Sequence, residues 1–119
     1  MISAARSYVT ALRASRRFGQ ASRLRDRGRK VEAIAAAREA LEILAQPHVI
    51  RTNPAEASVL ACATVLVEGL ARELDQPGAS PNDVADSLKY IRALGAESDL
   101  AEWVPYLEQR SVQGGASAV

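Results

Sequence analysis

The chain has 119 residues, 48% of them hydrophobic but only 4% aromatic, and a formal net charge of +1. That length suffices for one core that buries roughly two-thirds of the unfolded chain's surface, and an apolar share dominated by alanine suits close-packed helices better than sheets. A single cysteine, Cys62, excludes an intramolecular disulfide, and no window reaches the roughly 18 apolar residues of a membrane span, so a cytoplasmic protein is the default expectation.

The charge is unevenly placed. Residues 1–30 carry nine basic side chains against Asp26 alone, a net +8, whereas the remaining residues carry six basic and thirteen acidic ones, a net −7. The opening "MISAARSYVTALRASRRF" is Arg-rich and free of acids, which overlaps the pattern of an organelle transit peptide. Alanine and arginine are frequent throughout, however, and compositional habit explains it better. Arg6, Arg13 and Arg17 fall within about 40° of one another on a helix, beside Val9 and Leu12. Such an array could meet the phosphates of nucleic acid or an anionic membrane surface. It could equally be a solvated face, or one paired with the protein's own acidic surface. With Leu12 at 0°, Ile2, Ala5, Tyr8 and Val9 lie between about −40° and +80°, whereas Phe18, Ala21 and Leu24 lie between about 120° and 240°. The helix therefore either breaks near Ser15 to Gly19 or packs each half on a different partner. Tyr8, Val9 and Leu12 are expected to bury themselves on the acidic body of the same chain or of a second copy. Together with Arg6, Arg13 and Arg17 they form the candidate partner-binding set.

The next stretch, "GRKVEAIAAAREALEI", places Ile34, Ala37, Leu41 and Leu44 on one stripe of a helix from about Val31 to Ala45. It resembles the second helix of a tetratricopeptide repeat. Gly28 matches the turn glycine, Glu32, Ala33 and Ile34 the middle, and Ala40, Leu41, Glu42 and Ile43 the end. The preceding "FGQASRLRDR" would be the first helix. Arg17, Lys30 and Ala37 stand where the family carries aromatics, and no second copy of the landmarks follows. The resemblance implies a repeat-like helical hairpin and, by analogy alone, a protein-binding scaffold.

Further on, "NPAE" sets Asn53 as a helix cap, Pro54 at the first helical position and Glu56 where it can reach back to the cap. The helix that follows is apolar on two faces, Val59–Ala63–Leu66–Leu70 and Leu60–Val67–Ala71–Leu74, with Glu68 and Arg72 as a narrow wet strip and Ala61 and Val65 beside it. A helix apolar over more than half its circumference should lie at the centre of the bundle. "SPND" repeats the capping device with Ser80, Pro81 and Asp83, and Val84, Leu88 and Ile91 give that helix one stripe. Gly95 is placed as a left-handed helix terminus. Ser98 is a candidate cap for a last helix in which Pro105 forces a turn, a break and a short helix from about Pro105. Trp103, Tyr106 and Leu107 are read as a plug at the end of the bundle.

No catalytic constellation emerges. His48 is the only histidine and sits in a loop, Cys62 lies in an apolar run, the carboxylates are scattered, and the glycines are isolated. No enzymatic activity, metal, cofactor or small-molecule substrate is expected. The sequence thus describes an all-α antiparallel bundle of about five helices, a single domain over residues 1–110 followed by a disordered tail over 111–119. The favoured function is a non-enzymatic protein–protein interaction module, a scaffold or adaptor that engages a protein partner or a second copy. The alternative is an anion-binding adaptor that uses the basic N-terminal helix on nucleic acid or an anionic membrane surface.

Overall fold

The computed structural model describes residues 2–117, with side chains described for residues 5–112. The chain is all-α. In order it forms α1 (Ile2–Asp26), α2 (Lys30–Leu44), α3 (Pro54–Leu74), α4 (Pro81–Leu94), a 3-10 turn (Ala101–Trp103) and α5 (Val104–Ser117). Successive helices pack against one another as hairpins, and α1 also packs on α3. The expected stripes are the core: Ile34, Ala37, Leu41 and Leu44 on α2, and Val84, Leu88 and Ile91 on α4, are all buried. Each fully buried aliphatic side chain of this kind contributes about 1.5–3 kcal/mol. Helix α3 is the centre, covered by α1, α2 and α4, with Leu60, Leu66, Val67 and Leu70 buried. Against the sequence expectation that no window is apolar enough to span a membrane, α3 is long and apolar enough by composition to cross a bilayer, but it is mostly covered inside the bundle and carries two buried carboxylates, Glu56 and Glu68.

The N-terminal helix differs from its sequence reading. It runs unbroken for 25 residues, and the face it buries is small and partly polar: Ser7, Thr10, Ala11, Ala14 and Ala21. These positions span only about 100° and share that arc with Phe18, so one straight helix serves both halves. No proline interrupts it. Docking through alanines lets helix backbones approach closely and leaves Tyr8, Val9 and Leu12 outside. Their expected burial on the body of the same chain does not occur.

Helix ends follow local rules. Gly28, at φ +77°, is the left-handed residue that closes α1; its N–H donates to the Arg25 carbonyl (2.9 Å) and the Arg29 N–H to that of Leu24 (2.9 Å), the paired bonds of a Schellman terminus. Asn53 and Ser80 stand at the caps as expected. Ser80 Oγ accepts from the Asp83 N–H (3.2 Å), but Asn53 makes no side-chain cap bond, because its amide donates instead to Glu56 Oε2 (3.0 Å). Gly95 has positive φ (+89°) but extended ψ (176°), so it ends α4 outside the left-handed helical region. The break before Pro105 takes the form of the 3-10 turn, preceded by a bond from the Leu100 N–H to Ser98 Oγ (3.2 Å). The backbone of α5 is helical to Ser117, into the stretch read from sequence as a tail; residues 118–119 lie outside the described ones.

Candidate functional site

Two surfaces stand out, each held in place by buried polar groups. The first is a groove of about 850 Å³ between α1, α3 and the 3-10 turn. Its apolar lining comprises Phe18 from α1, Cys62, Val65 and Gly69 from α3, and Trp103 from the turn, all half-buried. Exposed charges edge it: Arg25, Lys30 and Arg72 against Glu73 and Glu102, with Lys30 paired to Glu73 (2.9 Å). Trp103 approaches Gly69 closely enough that a Cβ added there would sit 3.3 Å from its ring, and it meets Tyr106 edge to face at 5.7 Å. Tyr106 is covered in turn by the Arg72 guanidinium, 4.8 Å above the ring. Cys62, whose apolar run suggests a small buried hydrophobe, is half-buried and forms part of the groove wall. Burial raises its thiol pKa, which works against thiolate reactivity.

Glu68 anchors this end of the molecule. The sequence placed it on a wet strip, yet it is 1% exposed. Its carboxylate accepts from the Ala79 N–H (2.8 Å), the Tyr106 hydroxyl (3.1 Å), and Arg110 through Nε (3.0 Å) and a terminal nitrogen (3.3 Å). Arg110 also donates to the Ala79 carbonyl (3.0 Å). The α3–α4 loop and α5 thus close over Glu68, leaving Arg72 exposed, and supply the donors that a buried carboxylate requires. Gly78 is part of that closure, since a Cβ there would fall 2.5 Å from Glu68 Oε1.

A second network fixes α1. Ser7 Oγ donates to the buried Glu56 carboxylate (2.7 Å) and accepts from the Ile50 N–H (2.8 Å). Thr10 Oγ1 donates to the Arg6 carbonyl (2.9 Å), so its contact with His48 Nε2 (2.7 Å) has the imidazole N–H as donor. The sole histidine is a positioning group at the α2–α3 loop. Arg51 ties the same loop to α4 through Asp83 (2.6 Å) and Asp86 (3.0 Å), which takes the Asp83 carboxylate away from its expected capping partner.

The second surface is the outward face of α1, where the sequence-derived candidates lie. Tyr8, Val9 and Leu12 are 53%, 56% and 44% exposed. Arg6 and Arg13 are exposed beside them, with no carboxylate within ion-pair distance among the described residues. Arg17 does not belong with them: it turns to Glu39 on α2 and to Gln20. The six candidates therefore divide into five that share an exposed face and one used internally. The groove was missed from sequence. Its signal was Val65 with Cys62 and Gly69, which marks a third apolar sector on α3 next to the supposed polar strip, whereas Ala61 is fully buried and takes no part in it. Comparison of this chain with protein-family models, with curated proteins and with solved structures finds no match.

Proposed function

We propose that the protein is a non-enzymatic helical interaction module, a scaffold or adaptor that receives an amphipathic helix of a partner protein in the groove between α1 and α3. The observation that carries this reading is the apolar groove lined by Phe18, Cys62, Val65, Gly69 and Trp103. Its α3 wall, from Cys62 to Glu73, is about 17 Å long, three turns at 1.5 Å per residue, which suits a short helix presenting apolar side chains at i, i+4 and i+7. Hairpins stacked in sequence order, with α1 on α3 and a concave surface between alternate elements, also support the finer, tetratricopeptide-like reading of Gly28 to Ile43.

Trp103 is the only tryptophan and lines the groove, so its emission reports occupancy directly. Proteins captured on the immobilised chain at about 0.5 M salt, where phosphate-bound partners are lost, are to be identified and titrated individually against Trp103 fluorescence. A bound partner should shift the emission, and Val65→Glu should abolish both capture and shift. Partners that bind Val65→Glu unchanged would remove the groove from the mechanism.

A further inference from the structure

We infer that the outward face of α1 is a docking surface for an anionic lipid bilayer. Of the large apolar side chains exposed among the described residues, Tyr8, Val9 and Leu12 cluster within five positions of one helix, whereas Val31, Ile50, Leu94 and Val112 are scattered over separate elements. With the buried face of α1 turned inward, Tyr8, Leu12, Arg16, Val9, Arg13 and Arg6 follow one another around about 160° of the outer circumference. Arg23 extends the same face about 25 Å along the axis from Arg6. Arg6, Arg13, Arg16 and Arg23 are all exposed and make no ion pair with the described carboxylates. No acidic residue precedes Asp26.

Charge decides between occupants. A second copy set face to face would bring two unneutralised arginine rows together, so self-association opposes the field of this helix. A negatively charged surface complements it. The apolar cluster then separates lipid from nucleic acid. Phosphate contacts along a duplex need cations alone and would leave Val9 and Leu12 in water, and Tyr8 is the only aromatic on this face for base stacking. A bilayer interface takes both parts: apolar side chains enter the headgroup–acyl boundary while the arginines stay among the headgroup phosphates. The buried Ser7, Thr10, Ala11 and Ala14 hold the helix on the bundle, so the chain would dock without unfolding.

The test is co-sedimentation of the full chain with phosphatidylserine–phosphatidylcholine vesicles, with pure phosphatidylcholine vesicles and a mixed-sequence DNA duplex as the other arms. The chain should bind the anionic vesicles, weaken with salt, and ignore phosphatidylcholine. Val9→Asp with Leu12→Asp should reduce binding at least about tenfold, since it removes the inserted groups. Val9→Ser with Leu12→Ser should do so without added charge, and circular dichroism should show both variants folded. Arg13→Gln with Arg16→Gln should weaken binding and flatten its salt dependence. No binding to anionic vesicles at low salt, binding indifferent to the Val9 and Leu12 changes, or tighter binding to the duplex than to the vesicles would each overturn the assignment. Trp103 emission should stay unchanged on vesicle binding, which keeps this result separate from that of the groove.

Discussion

At the scale of single residues, the decisive group is Glu68. An isolated carboxylate in this position would cost several kcal/mol, and the cost is offset by four donors from Ala79, Tyr106 and Arg110. Replacing Glu68 by Lys leaves Arg110 facing a second cation in a closed space. The Glu68→Lys protein should lose about 3 kcal/mol or more of stability in a urea titration, whereas an exposed position would lose less than about 0.5 kcal/mol. Tyr106 shares the site. Burial first, then the charge and hydrogen bond of Glu68, raise its pKa above the ordinary phenol value against the opposing pull of Arg72 and Arg110. The folded state therefore holds this proton at a pH where the unfolded chain has released it. The resulting contribution is full below pH about 10 and is lost as pH rises through the folded value. Urea midpoints should fall in that alkaline window, and Tyr106→Phe should fall less steeply. Parallel slopes for the two proteins would show that the phenol is not coupled to folding.

At the scale of elements, what could be read from the sequence was set by how large side chains repeat. The stripes of α2 and α4 and both main faces of α3 were legible because Leu, Ile and Val at helical spacing have few places to go but the core. Proline at the starts of α3 and α4 fixed two boundaries for equally local reasons. The docking face of α1 was not legible, because Ser7, Ala11 and Ala14 carry little apolar weight and their burial follows from close backbone approach rather than from hydrophobicity. Nor was Glu68, whose burial depends on Arg110, 42 residues away. The same contrast gives a test. Ala14 is completely buried, so Ala14→Leu should overpack the α1 seam and cost about 1–3 kcal/mol. Val9→Asp with Leu12→Asp, although chemically more drastic, should change stability by less than about 1 kcal/mol, since both side chains face water. Denaturant midpoints in the reverse order would place α1 the other way round on the bundle.

At the scale of the whole molecule, cohesion is unequal. Helices α1, α2 and α3 pack mutually, and α4 continues from α3, but the packing of α5 is chiefly on α4, supplemented by the polar tie from Arg110 to Glu68 and Ala79. Leu107 is its one fully buried apolar anchor among the described residues, with Tyr106 half-buried beside it. Segments with few buried contacts open at a lower free energy than the core they rest on, and amide exchange resolves such openings segment by segment. Arg110→Ala removes the tie while leaving the core stripes untouched. Because Arg110 itself is partly exposed, its removal costs less than the loss of Glu68, yet Glu68 then keeps only the Ala79 and Tyr106 donors. The variant should therefore show faster exchange in α5 and around Ala79, with α2 and α3 retaining their protection. The edge of the groove should loosen with them, since Trp103 rests on Tyr106, so Trp103 emission should move toward that of a solvated indole at denaturant concentrations where the far-ultraviolet helical signal is intact. Uniform acceleration of exchange across α2, α3 and α5 would mean instead that the five helices open as one unit, and that the Glu68–Arg110 pair holds the whole bundle rather than its last helix.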